Sequence, residues 1–307
     1  MSRTVVVGLD GSPASSAAAE WAANEARLRR LPLKLLHAVE RWAPPYGYAS
    51  LAGTSAPVPA STEYWGEHIP QDVFQQLTER HPGLEMTTEQ VDGRPVTVLT
   101  DAAQEAEVLV LGSRGLGAMT GFLVGSVSQA VLAHAERPVV IVRTGSGTDS
   151  AHLPTPDGSG PQEGAYRPVV LGLDLARPCD ELLEYAFDAA AARRAPLRVV
   201  HGWSMPPAYG FDPALIAPEV RDGIAAGAAG ALGDALRPWR GKYPEVRVEE
   251  ECAVGRAAGH LVAASANASL MVVGRRVRHS AIGTHLGPVA HAVLHHSAAP
   301  VAVVPHA

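Results

Sequence analysis

Cysteine is scarce in this chain: two residues in 307, Cys179 and Cys252, with no close-spaced pair. That excludes a disulfide scaffold and a paired-thiol redox motif, and leaves both as packing residues in a reducing compartment. Apolar runs are short, none approaching the length that crosses a bilayer. Met1-Ser2-Arg3-Thr4 leads straight into an apolar run without signal-peptide organisation, so the expected location is cytoplasmic. Excess positive charge is missing too. A net charge of -6 gives no electrostatic case for nucleic acid or an anionic membrane as partner. No Ser/His/Asp or Cys/His set is identifiable, nor paired carboxylates or an acidic metal motif after a strand, so catalysis has no evident carriers. His291 and His295, four apart, would share a helix face at metal-ligand spacing. Their setting, His-Ala-Val-Leu-His, lacks the Glu of a zinc protease and a third ligand, and solvated helix histidines are the plainer reading.

What is present centres on Glu107 to Arg143. Val108-Leu109-Val110-Leu111 ends abruptly on Gly112, and Gly125-Ser126 opens a stretch in which Val127, Ala130, Val131 and Ala133 recur at helical spacing. Arg137-Pro138 stops it, and Val139-Val140-Ile141-Val142 follows. The pattern predicts strand, glycine-rich loop, helix, strand. Glycines permit positive φ and let an anion approach main-chain N–H groups. At the predicted helix start, unpaired N–H groups and the positive dipole end would face the loop, with the Ser126 hydroxyl at the cap. The alternative is a tight turn that holds nothing. No lysine follows these glycines, which excludes a P-loop, and Gly115-Leu116-Gly117-Ala118-Met119-Thr120-Gly121 misses G-x-G-x-x-G by one residue.

Taken in order, Thr4 to Asp10 predicts a strand, Ser12 and Pro13 cap and start a helix, and Leu33 to Val39 predicts a second strand. Ala14, Ala18, Trp21, Ala22 and Leu28 form the helix's apolar stripe. This is a βαβ unit, which implies a parallel sheet. Residues 41–70 read as a long loop, 71–80 as a helix, 84–91 as a strand, and 95–104 as a helix. Residues 144–165 read as a flexible linker. Beyond it the pattern recurs: Val169 to Asp174 match Val5 to Asp10 at an offset of 164, as His201 matches His37. Gly255, Gly274, Gly287 and Pro300 match Gly93, Gly112, Gly125 and Pro138 at 162. The near-constant offset marks a duplication of one α/β unit, about five strands and four helices per copy. The units are 1–143 and 166–307.

The spacing G-x2-G-x9-G-[ST], met by Gly112, Gly115, Gly125 and Ser126, resembles the ATP-binding motif of the universal stress protein family. The turn Val91-Asp92-Gly93-Arg94-Pro95 and the closing Pro138-Val139-Val140-Ile141-Val142 resemble that family as well, and the likeness covers nearly the whole chain. It implies an α/β fold of two tandem domains, each a five-stranded parallel open sheet flanked by helices, Rossmann-like and akin to the adenine nucleotide alpha hydrolases. It further implies a non-enzymatic, nucleotide-dependent regulator in the stress response. In such a protein Gly8, Asp10 and the Ala38 main chain lie beside adenine and ribose. Ser113, Arg114, Gly115, Leu116, Gly117 and Ala118, with Gly125, Ser126 and Val127, would hold ribose and phosphates. ATP is the expected cofactor, with Mg2+ an optional companion of the phosphates. Without the motif, Asp10 reads more simply as a helix cap. A weak ATP hydrolase or nucleotidyl transferase, and an interaction protein without nucleotide, are the rival functions.

The second half departs from the pattern. Gly172, Asp174, Gly202, Gly274 and Gly287 occupy the corresponding places, but Val277 stands where Gly115 does and Pro288 where Ser126 does. Pro288 lacks both N–H and hydroxyl. Arg275, Arg276 and Arg278 offer charge in exchange, and the second site reads as degenerate. Finally, Val139–Val142 and Val301–Val304 are uncharged final strands, whose open edges must be covered. The expectation is that they pair with each other antiparallel across a pseudo-twofold axis, forming internally the dimer that one-domain relatives make, with a further homodimer compatible.

Overall fold

The computed structural model describes residues 3–40, 60–113, 124–145, 148–155, 160–203, 218–277 and 286–307. The first half runs β1 (Val5–Leu9), α1 (Pro13–Arg29), β2 (Leu33–Val39), α2 (Ala60–Arg80), β3 (Met86–Asp92), α3 (Pro95–Glu105), β4 (Val108–Gly112), α4 (Ser126–His134) and β5 (Val139–Val142). A 3-10 turn (Thr148–Ala151), β6 (His152–Pro154) and β7 (Pro161–Tyr166) connect it to the second. There follow β8 (Val169–Gly172), α5 (Asp180–Arg193), β9 (Leu197–Trp203), α6 (Pro218–Lys242), β10 (Val248–Val254), α7 (Ala257–Ser265), β11 (Leu270–Arg276), α8 (Pro288–His296) and β12 (Val301–His306). The two halves thus carry the same alternation, and each builds a parallel sheet flanked by helices. No helix among the described residues is long and apolar enough to cross a membrane.

Two local expectations are corrected. The segment 144–165, read as a flexible linker, carries the antiparallel β6–β7 ladder, with the His152 and Tyr166 rings 4.2 Å apart. Its polar composition hid a hairpin held by turn bonds such as Thr155 N–H to the Gly160 carbonyl. The helix predicted from Gln71 begins at Ala60 and passes through Pro70, so 60–70 are not loop; residues 41–59 lie outside the described residues.

All ten major strands form one sheet in the order β10-β9-β8-β11-β12-β5-β4-β1-β2-β3. Within each half every pairing is parallel, and the halves meet where β12 pairs antiparallel with β5. The register is Val301 with Ile141, Ala302 with Val140 and Val303 with Val139. Val140 and Ala302 are equivalent positions of the repeat, so a pseudo-twofold axis passes through their pair. The two apolar layers on the faces of the sheet each draw side chains from both halves. Pairing of β5 with β12 removes the apolar edge that each strand would otherwise present.

On one face, α1 and α5 meet across the axis around a buried charge cluster. Both Glu25 oxygens are engaged, one by Arg29 Nε at 2.6 Å and the other by Arg193 Nη2 at 2.5 Å. Arg29 and Arg193 are themselves repeat equivalents, as are Trp21 and Tyr185. Arg29 lies over the Tyr185 ring at 5.2 Å and Arg193 over Trp21 at 5.8 Å, each guanidinium stacking on the other half's aromatic. Burial alone would raise the Glu25 pKa, but the attraction of Arg193 and Arg29 overcomes it and holds the group at about 2.

Two outcomes are expected. Ile141→Asp or Val303→Asp buries a charge at the seam and should separate the halves or aggregate the protein, read by light scattering and small-angle X-ray scattering. Glu25→Ala removes the carboxylate that the two buried guanidinium groups share, leaving Arg29 with Glu107 at 3.9 Å, and should cost about 3–5 kcal/mol in denaturant unfolding. Because the folded pKa of Glu25 lies below the ordinary 4.5, its contribution of roughly 3 kcal/mol is complete above pH 4.5 and fades as pH falls toward 2. An acid-unfolding midpoint that Glu25→Ala leaves in place would contradict this.

Candidate nucleotide site

In each half the first strand lies between the second and fourth, so successive connections leave it on opposite sides. A crevice opens at such a switch point, beyond the strands' carboxyl ends. In the first half that point lies between β1 and β4, and five of the predicted residues stand at the carboxyl ends of these strands and of β2. Gly8 is in β1, Ala38 in β2, Gly112 at the end of β4, and Asp10 and Ser113 just past their strands. His37 ties β2 to β1 through Nδ1, 2.8 Å from the Leu9 carbonyl. The same bond recurs from His201 to Leu173 at 2.9 Å.

The glycine at 112 is required by close approach. A Cβ there would lie 2.7 Å from the Ala14 carbonyl carbon and 2.9 Å from the Ser15 nitrogen, inside the first turn of α1. Positive φ is not the reason: neither Gly112 nor Gly125 adopts it. The start of α4 is fastened to the end of β4 by two bonds. Gly125 N–H donates to the Ser113 carbonyl at 2.7 Å, and Ser128 Oγ donates to the Gly112 carbonyl at 3.0 Å. Gly125 is the N-cap and Ser126 the first helical residue, with no side-chain cap bond, which corrects the placement of the Ser126 hydroxyl at the cap. Val127 follows in the first turn. Amides at this helix start lack intrahelical partners and face the crevice end of β4. Arg114, Gly115, Leu116, Gly117 and Ala118 lie outside the described residues.

Asp10 is not the helix cap. Ser12 takes that role, its Oγ accepting from Ser15 N–H at 3.1 Å. Asp10 sits two residues upstream, Oδ1 accepting the Ser12 N–H at 3.0 Å, so one carboxylate oxygen is fixed in place. Asp174 repeats this with Ala176 N–H at 3.1 Å.

In the second half Gly172, Asp174, Gly202, Gly274 and Gly287 line a single cavity of about 550 Å3. Its chemistry differs from that of the first crevice. The α5 helix starts three residues later in the repeat than α1, with Cys179 as its cap, so no helix backbone closes on Gly274 and its first turn reaches there only through the Leu182 side chain. The His306 ring covers Gly274 instead, Nε2 standing 2.9 Å from where a Cβ would be. Burial and a bond to Glu181 push the Cys179 thiol up to about 11, which keeps it protonated. Val277 N–H is committed to the His306 carbonyl at 2.7 Å, and Pro288 occupies the first position of α8. Of the three arginines considered as replacements, Arg276 lines the cavity and Arg278 lies outside the described residues. Arg275 points elsewhere: it is buried, and both Nη atoms donate to carbonyls at the end of α4, Ala133 at 3.1 Å and Ala135. Sequence reasoning missed this role, because the partner lies about 140 residues away.

His291 and His295 do share a helix face, their rings 4.3 Å apart, but His295 is buried and so is not a solvated histidine. Among the described residues no group of three His, Cys, Asp or Glu side chains could hold a metal ion.

Fold and strand order together define a duplicated Rossmann-like protein with a switch point in each half. The sequence pattern of the universal stress protein family matches residues 1–143 and again 165–305, and the chain belongs to that family. It is 33% identical over 313 residues to universal stress protein Rv2005c of Mycobacterium tuberculosis, covering 97% of this chain and 96% of that one. With Rv2623 of the same organism the identity is 30% over 306 residues, covering 97% and 95%. Among solved structures, a universal stress protein from Archaeoglobus fulgidus superposes with a TM-score of 0.64 at 17% identity, over the full length of both chains. One from Pseudomonas aeruginosa gives 0.59 at 17%, covering 99% of this chain and 94% of that one. At that identity the structures speak for the fold alone.

Proposed function

We propose that the protein is an ATP-binding regulator that holds the nucleotide in its first unit (residues 1–143) and transmits its presence to partners in the cytoplasm without catalysing a reaction on it. The observation that carries this reading is the fastening of the α4 N-terminus to the carboxyl end of β4, which sets helix amides that have no intrahelical partner at the switch point. There Asp10 would accept from ribose hydroxyls, and the Ala38 main chain would read the adenine edge. Gly112 to Gly117, Gly125, Ser126 and Val127 would surround ribose and phosphates, and any Mg2+ would travel with the phosphates. The second unit (166–307, after the connection 144–165) keeps the Asp174 geometry but loses the phosphate donors at Val277 and Pro288. It is a weaker nucleotide site or none.

The helix starts permit a direct exchange. Ser126→Pro gives the first site the second site's residue, and proline at the first helical position leaves α4 intact. Calorimetry should show ATP affinity falling by about tenfold or more, equivalent to one or two lost hydrogen bonds, with thermal stability unchanged. Unchanged affinity would refute the phosphate role of α4. Asp10→Ala should weaken ATP binding by about 1.5–3 kcal/mol for each charged hydrogen bond removed.

Stoichiometry is the companion outcome: one ATP per chain, seen as a single class of sites in titration and one equivalent in mass spectrometry of the native protein. Two equivalent sites would overturn the assignment of the second unit. Multiple-turnover release of ADP or AMP well above a buffer control would favour the hydrolase or transferase reading instead.

A further inference from the structure

The antiparallel seam has a geometric consequence. It sets the carboxyl end of β5 beside the turn entering β12, and the carboxyl ends of β11 and β12 beside the turn entering β5. Each of those turns is the end of a nine-residue helix, α8 in one case and α4 in the other. An arginine crosses the seam at both places. Arg143 donates to the carbonyls of His295 and Ser297 at 2.6 and 2.7 Å, gripping the end of α8. Arg275 donates to those of Ala133 and Ala135, gripping the end of α4. The gripped residues are equivalents in the repeat, 133 with 295 and 135 with 297. The arginines are not: the position equivalent to Arg275 is Ser113, and that equivalent to Arg143 is Pro305. Two different strand positions have converged on one contact.

We infer that Arg275 is a positioning residue for the first-half nucleotide site, holding from the second half the helix whose N-terminus meets the phosphates. This rests on the ATP reading above. α4 is about 13 Å long, so its two ends move as one rigid rod. Its start is fixed by Gly125 and Ser128 to β4, and its end by a buried guanidinium that also complements the negative dipole end. The first site is therefore completed by a residue of the other half, while the mate contact of Arg143 holds the end of α8.

The test uses the full-length chain and two readouts. Hydrogen exchange should show the α4 amides of Arg275→Ala exchanging faster from end to end while α8 stays protected, with the opposite pattern in Arg143→Ala. Calorimetric titration with ATP should show affinity lowered about three- to tenfold in Arg275→Ala, unchanged in Arg143→Ala, and partly restored in Arg275→Lys, which keeps one donor. If Arg275→Ala does not fold, Arg275→Lys against wild type carries both comparisons. Faster exchange in α4 without loss of ATP affinity overturns the inference, as does equal loss of affinity in the two alanine variants. Should wild type bind no ATP, the functional reading fails by itself, and α4 exchange unaltered in Arg275→Ala would then overturn the positioning role as well.

Discussion

The pairing of β5 with β12 is the constraint from which the rest of the architecture follows. Four uncharged residues at the end of each half would otherwise present an unpaired apolar edge, which is unstable in isolation. Two copies on one chain satisfy each other, and the antiparallel sense is forced because equivalent edges are related by a twofold operation. Once Val140 faces Ala302, the placement of the helices across the seam follows from symmetry: α1 meets α5, and each final helix ends beside the other half's strand ends. Both apolar layers then run unbroken across the sheet.

Symmetry also explains why the charge cluster is asymmetric. Arg29 and Arg193 are equivalent and approach the axis from both sides, each stacked on the other half's aromatic ring. A carboxylate near the axis can serve both guanidinium groups at once, and Glu107 stands 3.9 Å from Arg29 besides. A second, at the equivalent position, would add a buried like charge close to the first. That position is Ala189, and it is fully buried. The duplication has diverged just where exact symmetry would be unfavourable.

Much of the fold was legible in the sequence because it depends on local periods and on a repeat of nearly constant offset. The apolar runs and the Ser12-Pro13 helix start rest on residues whose meaning does not require a distant partner, and the seam follows from two uncharged final strands that the repeat makes equivalent. Three features escaped for definite reasons. The helix through Pro70 contradicts proline's usual effect, and the β6–β7 ladder lies in a stretch without apolar alternation. The roles of Arg143 and Arg275 depend on carbonyls more than 130 residues away, which no local pattern encodes. At the candidate site the sequence names Gly112, but not the reason for it. Glycine there answers to the backbone of α1 and not to φ.

The two halves have kept one fold while their crevices have parted, and the cause lies in where a single helix begins. In the first half α1 starts immediately after the Asp10 turn and its first residues close onto Gly112. In the second, Leu175-Ala176-Arg177-Pro178 replaces the Gly-Ser-Pro start, and the helix waits for Cys179. The missing turn leaves room over Gly274 that the His306 ring and a cavity of about 550 Å3 share. With that room open, strict glycine and serine at 277 and 288 no longer have the same work to do, and Val277 can extend the strand ladder against His306. The later helix start, Val277, Pro288 and the Arg275 grip on α4 across the seam all lie at the same end of the second half's strands.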